Sequence, residues 1–563
     1  MNSEVKVVVL AAVVVIIILI IGFIVAYSPP GSLQTTSSTT SENVQQNFAQ
    51  ETNWTMVNYD NSMSRHSPQM QIGKDNVNQL QVKWILNTGS PIENPPLIVG
   101  KTGYTQNNNY QVIAFDMDTG QNTWKYDPKT KFPSPSHGIT YDNGVIYAPT
   151  GPNGTVIALN AETGTRIWES PALQPLGGSF ILTSPPLTWN DYVIAGSAFG
   201  DSPGFGAPTK GTVTALDKKT GNIIWQINTT VGDWVTGPNA SVNGGAATWS
   251  GGAIDADKGI IYLPCGNPAP DLNASTRPGD TLYTNHVIAV NISDGKILWA
   301  TPFVAEGSVL NVTVPDTHDW DTSWGTNLAT VDFGKGPQNV VIGHDKRGDI
   351  MAMDPATGTP IWWGNVAVLY RTNISPMPDG SGTIWPGPAD GIESYSAFDA
   401  NSVYVAVSNQ GSNYFSSPDE GHIEPAFASM PNGIGNGSIT ALDLKTGTIK
   451  WEHKTDFPTW VSPLVTNGVV FSGTITAVGN NETGVTYPFG TFGGPTDTPL
   501  ITSGILMALD ADTGQELWEF NVGAPVGKGG PSIGDGMLLV PTGNDLDTTN
   551  SGGYIVAFGL PGT

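Results

Sequence analysis

Four short segments hold residue types that chemistry uses and a simple turn does not need. They are Gly244-Gly-Ala-Ala-Thr-Trp249, Cys265-Gly-Asn267-Pro-Ala-Pro followed by Arg277-Pro-Gly-Asp280, Asp316-Thr-His318-Asp319-Trp320-Asp321, and His344-Asp-Lys346-Arg347-Gly348. The third crowds three carboxylates into six residues of a chain that is only 13% charged. Such crowding costs repulsion unless a cation lies among the carboxylates. Carboxylates together with an amide carbonyl such as that of Asn267 are what a hard cation takes. A solvated acidic loop accounts for the same run, and on these residues alone both readings stay open. Taken singly, Trp249 also reads as packing, Asn267 as a turn residue before proline, and Lys346 as part of a surface hairpin. Cys265 reads as a small buried residue.

The elements that must position these segments announce themselves by repetition. The phrase VIAFDMDTGQNTW, ending at Trp124, returns six times, ending at Trp168, Trp225, Trp299, Trp362, Trp451 and Trp518. Its alanine stands six residues before its glycine, and the glycine four before the tryptophan, in every copy. Val/Ile alternation makes a strand, Asp-x-x-Thr-Gly makes an Asx-type turn with a left-handed glycine, and the tryptophan brings a large apolar surface to a neighbouring repeat. Repeats of small antiparallel sheets predict an all-β fold, a β-propeller. The long gap between Trp362 and Trp451 holds Tyr395-Ser-Ala-Phe-Asp-Ala-Asn-Ser-Val-Tyr-Val-Ala-Val, strand-rich but without the phrase. Counting it as a blade gives eight, and the truncated phrase Tyr554-Ile-Val-Ala-Phe closes the ring. A length of 563 residues alone would allow three or four domains, but the repeat makes 51–563 one.

Composition removes several classes. With 23 Lys and Arg against 48 Asp and Glu, the net charge of −25 argues against a nucleic-acid partner. A single cysteine excludes an intrachain disulfide, a CxxCH haem site and a cysteine zinc cluster. From Val7 to Tyr27 the chain carries no charge, long enough for a transmembrane helix. A Ser/Thr-rich linker at 28–50 follows. Ten Asn-x-Ser/Thr sequons, among them Asn53, Asn153 and Asn436, accord with a glycosylated domain held outside the cytoplasm by a single-pass anchor.

Over residues 51–563 the chain resembles the quinoprotein alcohol dehydrogenases, eight-bladed propellers that hold pyrroloquinoline quinone (PQQ) and a metal in the central channel. Gly266-Asn-Pro-Ala-Pro with Arg277-Pro-Gly-Asp280-x-Leu-Tyr-Thr carries the likeness most specifically. The resemblance implies cofactor contacts at Glu93, His137, Thr183, Trp249 (the plate on which the ring stacks) and Lys346. It implies a metal, Ca²⁺ or a lanthanide, held by Asp201, Asn267, Asp319 and Asp321. In the gapless register Asp319 is the catalytic base and Asp321 an extra acidic ligand, with Lys346 steadying the reduced quinone. A register shifted by two makes Asp321 the base.

The chain also departs from the family pattern. Gly196-Ser-Ala-Phe-Gly-Asp201 stands where the family has a metal-binding glutamate, and the vicinal cysteine pair that roofs the quinone is absent. His137 replaces an arginine, and Glu393-Ser394 replaces an Asn-Trp pair. The implied activity is oxidation of an alcohol or sugar-like substrate, with electrons passed to a separate cytochrome, copper protein or quinone. Two other readings of the same shell remain open: a cofactor-free scaffold, or a hydrolase of the tetrathionate hydrolase kind.

Overall fold

The structure, a computed structural model, describes residues 52–173, 181–197, 210–232, 236–238, 240–241, 243–269, 282–303, 320–322, 324–369, 381–384, 386, 390–409, 412–416, 423–426, 436–476, 503–543 and 553–562. The expected span at 7–27 and the linker at 28–50 lie outside them. Among the described residues no helix is long and apolar enough to cross a membrane.

Eight antiparallel sheets, each built on four strands, follow one another along the chain. Blade 1 covers residues 97–126, blade 2 140–169, blade 3 187–228, blade 4 254–302, blade 5 327–365, blade 6 397–455 and blade 7 464–521. Blade 8 joins the two ends of the ring: Gln81–Asn87 pairs with Tyr554–Gly559, beside Met537–Pro541 and Ser532–Gly534.

The count of eight is as the sequence predicts, but one blade is not where the sequence puts it. Residues 395–407 are not a blade of their own. Ala397–Phe398 and Ser402–Asn409 are the inner strands of the blade that ends on Trp451. The phrase marks only a blade's outer hairpin, so a phrase-free inner pair precedes each copy. The extra length in this gap goes partly into a separate three-stranded sheet, Ser381–Ile384, Ser412–Ser416 and Ile423–Ala426. The eighth blade hides because its phrase is cut in two: Ala557 faces Trp84 across the outer pair, as Ala114 faces Trp124 and Ala289 faces Trp299.

The phrase works as a joint between blades. Each tryptophan donates its indole N–H to the carbonyl just after the next blade's turn Asp or Asn: Trp84 to Met117, Trp225 to Ile292, Trp299 to Pro355, Trp451 to Ala511, all within 2.8–3.0 Å. The turn glycine is required twice over. At Gly447 φ is +69°, and a Cβ there would come within 2.4 Å of the Trp362 ring; Gly120 and Trp84 repeat the arrangement at +69° and 2.5 Å. The turn's Asp closes it locally, as Asp116 accepts from the Thr119 N–H and hydroxyl. Only the seam between blades 7 and 8 differs among the described joints, with Trp518 set edge-on to Phe558 at 5.6 Å.

Ahead of blade 8 the segment 54–67 runs round the inside of the ring. It hydrogen-bonds the innermost strands of blades 1, 2, 4, 5, 6 and 7 in order. The contacts are Trp54 with Ile98, Thr55 with Tyr141, Asn61 with Ile254, Ser62 with Leu328, Ser64 with Phe398 and Arg65 with Val465. Arg65 is fully buried. Its guanidinium donates to the carbonyls of Pro463, Ser462, Pro531 and Val57 and to the Asn58 side chain, fastening this strap to blades 7 and 8. Burial brings its pKa down to about 9, so it stays a cation at neutral pH.

Candidate active site

The connectors entering the innermost strands carry the chemistry. In each, the chemically distinctive residue stands three to six positions before that strand. Taken in blade order these are Glu93, His137, Thr183, Trp249, Asp321 with Trp324, Glu393, Trp460 and Lys528. Positions equivalent around the ring thus converge on the channel while their residue types all but refuse to repeat.

Three connectors meet at one carbonyl. The Trp249 oxygen accepts from the Thr183 hydroxyl at 3.3 Å and lies 2.8 Å from His137 Nδ1. A carbonyl only accepts, so Nδ1 carries the proton and Nε2 is an acceptor. The His137 N–H in turn reaches the Thr183 carbonyl. Burial, and after it the charge of Lys528, outweigh that carbonyl bond and bring the His137 pKa down to about 4. His137 is therefore a neutral ring at pH 7, not a substitute cation for an arginine.

Trp249 is half-buried although Thr248 and Ser250 beside it are buried. Its ring is braced edge-on by Trp324 at 5.3 Å and tilted against His137 at 5.2 Å. Trp324 rests edge-on against Tyr395, whose hydroxyl donates to the Ser250 carbonyl. Met56, Val57 and Met63 of the strap share the core of Trp324 and Tyr395, so the strap supports the plate from below. Trp324 itself adopts φ +54°, a backbone state that L residues resist, beside Gly325 at +83°.

On the Trp249 indole-nitrogen side lies the charged group. A Cβ on Gly266 would fall 2.7 Å from Asp321 Oδ1 and 3.2 Å from the Trp249 indole nitrogen. Asp321 is buried; its Oδ1 accepts from the Asn267 N–H at 2.5 Å, and Oδ2 lies 2.7 Å from Lys346 Nζ. Lys346 is buried too, not part of a surface hairpin, because Thr322 bridges Asp345 and the Lys346 N–H donates to the Asp321 carbonyl. The acidic segment and the His344–Gly348 turn are thereby zipped together.

Beneath them Asp349 takes Arg347 at 2.7 Å together with Trp363 and Asn365. Asp345 has its pKa raised by burial and then by Asp349, while burial alone brings His344 to about 3. Glu93, buried, accepts from Asn108 at 2.7 Å, and its carbonyl takes the Gly529 N–H. Cys265 is buried as expected, and burial pushes its thiol pKa up.

Thus His137, Thr183, Trp249, Asn267, Asp321 and Lys346 are joined by these contacts, Glu93 stands in its own connector against Asn108 and Gly529, and Asp201 and Asp319 lie outside the described residues. The sequence reading overlooks Trp324, Trp460 and Lys528. Their signal was positional: Trp460-Val-Ser-Pro-Leu stands in its connector as Glu93-Asn-Pro-Pro-Leu and Thr183-Ser-Pro-Pro-Leu do in theirs.

Trp249, half-buried among buried neighbours, offers a flat aromatic surface, and Lys346, paired with Asp321 on its indole-nitrogen side, suits an anionic or quinonoid edge. Asn267 and Asp321 supply oxygen donors of the type a hard cation takes. They are only part of such a set: no group of three or more His, Cys, Asp and Glu that could hold a metal occurs among the described residues.

The glucose/ethanol/alcohol dehydrogenase β-propeller domain profile matches residues 54–141 and 171–365. The profile of the outer membrane protein assembly factor BamB, which shares the propeller repeat, matches 284–491. The chain is 24% identical over 524 residues to the quinohemoprotein alcohol dehydrogenase ADH-IIG of Pseudomonas putida, covering 83% of this chain and 68% of that one. It is 24% identical over 531 residues to the quinoprotein alcohol dehydrogenase PedH of the same species, covering 82% and 80%. The fold superimposes on a europium-containing methanol dehydrogenase with a TM-score of 0.72 at 21% identity, covering 90% of this chain and 98% of that one. With the dehydrogenase profile spanning half of its length, the chain belongs to the PQQ-dependent quinoprotein alcohol dehydrogenase family of oxidoreductases.

Proposed function

We propose that the protein oxidises an alcohol or sugar-like substrate from a site over Trp249, with PQQ on that indole and a Ca²⁺ or lanthanide ion at its edge. The carrying observation is the half-buried Trp249 plate flanked by Asn267, Asp321 and Lys346. PQQ, when bound, supplies the acceptor for the hydride of the alcohol carbon, and the cation polarises the quinone oxygen. Asn267 and Asp321, with Asp319 and Asp201, are the cation's ligands in this reading; the europium enzyme of the same fold supports a lanthanide as readily as Ca²⁺.

The protein's own part is binding and proton handling. Trp249, braced by His137 and Trp324, fixes the plane. Lys346 offers N–H groups to the oxygen that gains charge, and Asp319 takes the hydroxyl proton. A second assignment of the base has an observation in its favour: Asp321 already touches both Lys346 and Asn267. Comparing Asp319→Asn with Asp321→Asn separates the two, since the base variant loses turnover even at saturating metal and PQQ, whereas a variant of a residue that is only a ligand regains turnover as metal is raised.

In this reading the electrons pass to an acceptor such as a cytochrome, a copper protein or a quinone. The apolar run at 7–27 holds the propeller to the membrane on the extracytoplasmic side, where sequons such as Asn53 and Asn436, both exposed, are open to glycosylation. PQQ titration into the full chain, read by tryptophan fluorescence with and without Ca²⁺ or La³⁺, tests the core of this. Saturable quenching that requires metal is expected, followed by dye-linked alcohol oxidation. No binding under any metal overturns the reading in favour of a scaffold or a hydrolase.

A further inference from the structure

Lys528 is the one cation that the described connector positions bring to the channel. It sits in Gly527-Lys-Gly-Gly530, and the glycines are needed because the loop presses against the connector of Glu93. A Cβ on Gly527 would meet the Ile92 carbonyl at 2.2 Å, and one on Gly529 would meet the Glu93 carbonyl and Asn94 Cα at 2.6 Å. The Lys528 backbone is therefore fixed beside Glu93 by close packing. Its stem is buried, with Nζ 4.8 Å from the ring centre of Trp460, 5.9 Å from that of Trp324, and 3.6 Å from Glu393 Oε1. That last separation is longer than a hydrogen bond, so Glu393 steadies the ammonium by charge without locking it.

Two buried polar atoms of the connector that carries this carboxylate have no protein hydrogen-bond partner: Glu393 Oε2 and Ser394 Oγ. Buried polar groups are usually paired, by protein, water or a ligand, and these two lie on the connector that faces Lys528. His137, across Trp324, offers no positive charge at pH 7 because burial keeps its ring neutral.

Accepting that PQQ binds on Trp249, we propose that Lys528, positioned by Glu393 between Trp324 and Trp460, is this chain's anchor for a carboxylate of the quinone, taking over from the arginine that His137 replaces. Lys346 and Lys528 then flank the Trp249–Trp324 pair as two cations for a flat, polyanionic ring. The Ser394 hydroxyl can donate to that carboxylate, while Glu393, which only accepts, holds the ammonium in place.

The test is equilibrium binding in the full chain, read by tryptophan fluorescence, with PQQ and with its trimethyl ester as probes. Lys528→Met should weaken PQQ about 10- to 100-fold, the scale of one charge-assisted contact. It should leave the ester nearly unchanged, Lys528→Arg should restore binding, and His137→Arg in the Lys528→Met background should recover part of it. Equal loss for PQQ and ester, or a lowered melting temperature with no difference between the probes, would make Lys528 a packing residue and overturn the proposal. Unchanged PQQ affinity in Lys528→Met would overturn it as well while leaving the quinoprotein reading intact. Failure of the wild-type chain to bind either probe with metal present would remove both.

Discussion

The outer joints and the inner connectors of this propeller obey opposite rules. Around the rim the same three residues recur at the seven joints from Trp84 to Trp451, Ala facing Trp and Gly beneath the indole of the preceding blade, and these joints repeat one hydrogen bond to within 0.2 Å. Around the channel the equivalent positions run Glu93, His137, Thr183, Trp249, Asp321, Glu393, Trp460, Lys528. Repetition suits a joint, whose task is the same in every blade. A site that must tell one end of a ligand from the other cannot be built from identical parts, so the ring spends its symmetry on stability and keeps its asymmetry for chemistry.

Substitutions should respect that division. The largest effect expected is on turnover: Asp319→Asn, the assigned base two residues before the inner-ring Asp321, should cut kcat by roughly 10²- to 10⁴-fold while the melting temperature holds, measured by dye-linked assay beside calorimetry. A loss of stability equal to that of a rim variant would erase the distinction. At the rim, Trp225→Ala removes an indole packed over Gly295 and should cost about 3–5 kcal/mol in denaturant unfolding, with turnover per folded molecule unchanged.

Next in size is an acid effect confined to the inner ring. Folded His137 takes a proton only near pH 4, whereas the unfolded chain takes one near 6.5. Stability from this group is complete above pH 6.5 and drains as pH falls toward 4, by about 3 kcal/mol. His137→Gln should flatten that limb of a stability–pH curve, and an unchanged slope would show the histidine to be solvated. The smallest effect belongs to the turn: Asp116→Ala loses the bonds to Thr119 and should cost about 1 kcal/mol, detectable as a small shift of the denaturation midpoint.

The same division decides what could be read from the chain. Seven intact phrases spelled out seven outer hairpins because a joint demands fixed spacing, and the eighth escaped because Trp84 and Ala557 stand at opposite ends of the chain. Residues 395–407 were misplaced since their alternation is that of any inner strand. In the site, Asn267, Asp321 and Trp249 were legible from residue type and from the family resemblance, and the structure brings them together with Lys346. Trp324, Trp460 and Lys528 were not: tryptophan is ordinary in such a core, and a lone lysine between glycines looks like surface. What marks them is their distance from an innermost strand, a quantity that exists only once the blades are known.

The strap and the divided blade also govern when the protein becomes functional. Segment 54–67 needs strands from blade 1 to blade 7 before its carbonyls and N–H groups are satisfied, and Gln81–Asn87 waits for Tyr554–Gly559. These early propeller segments thus complete their pairing only when the last blades arrive, and a growing chain is an open arc whose strap is anchored at one end. A chain halted short of blade 8 should therefore hold the Trp249 connector on an unclosed, less rigid ring.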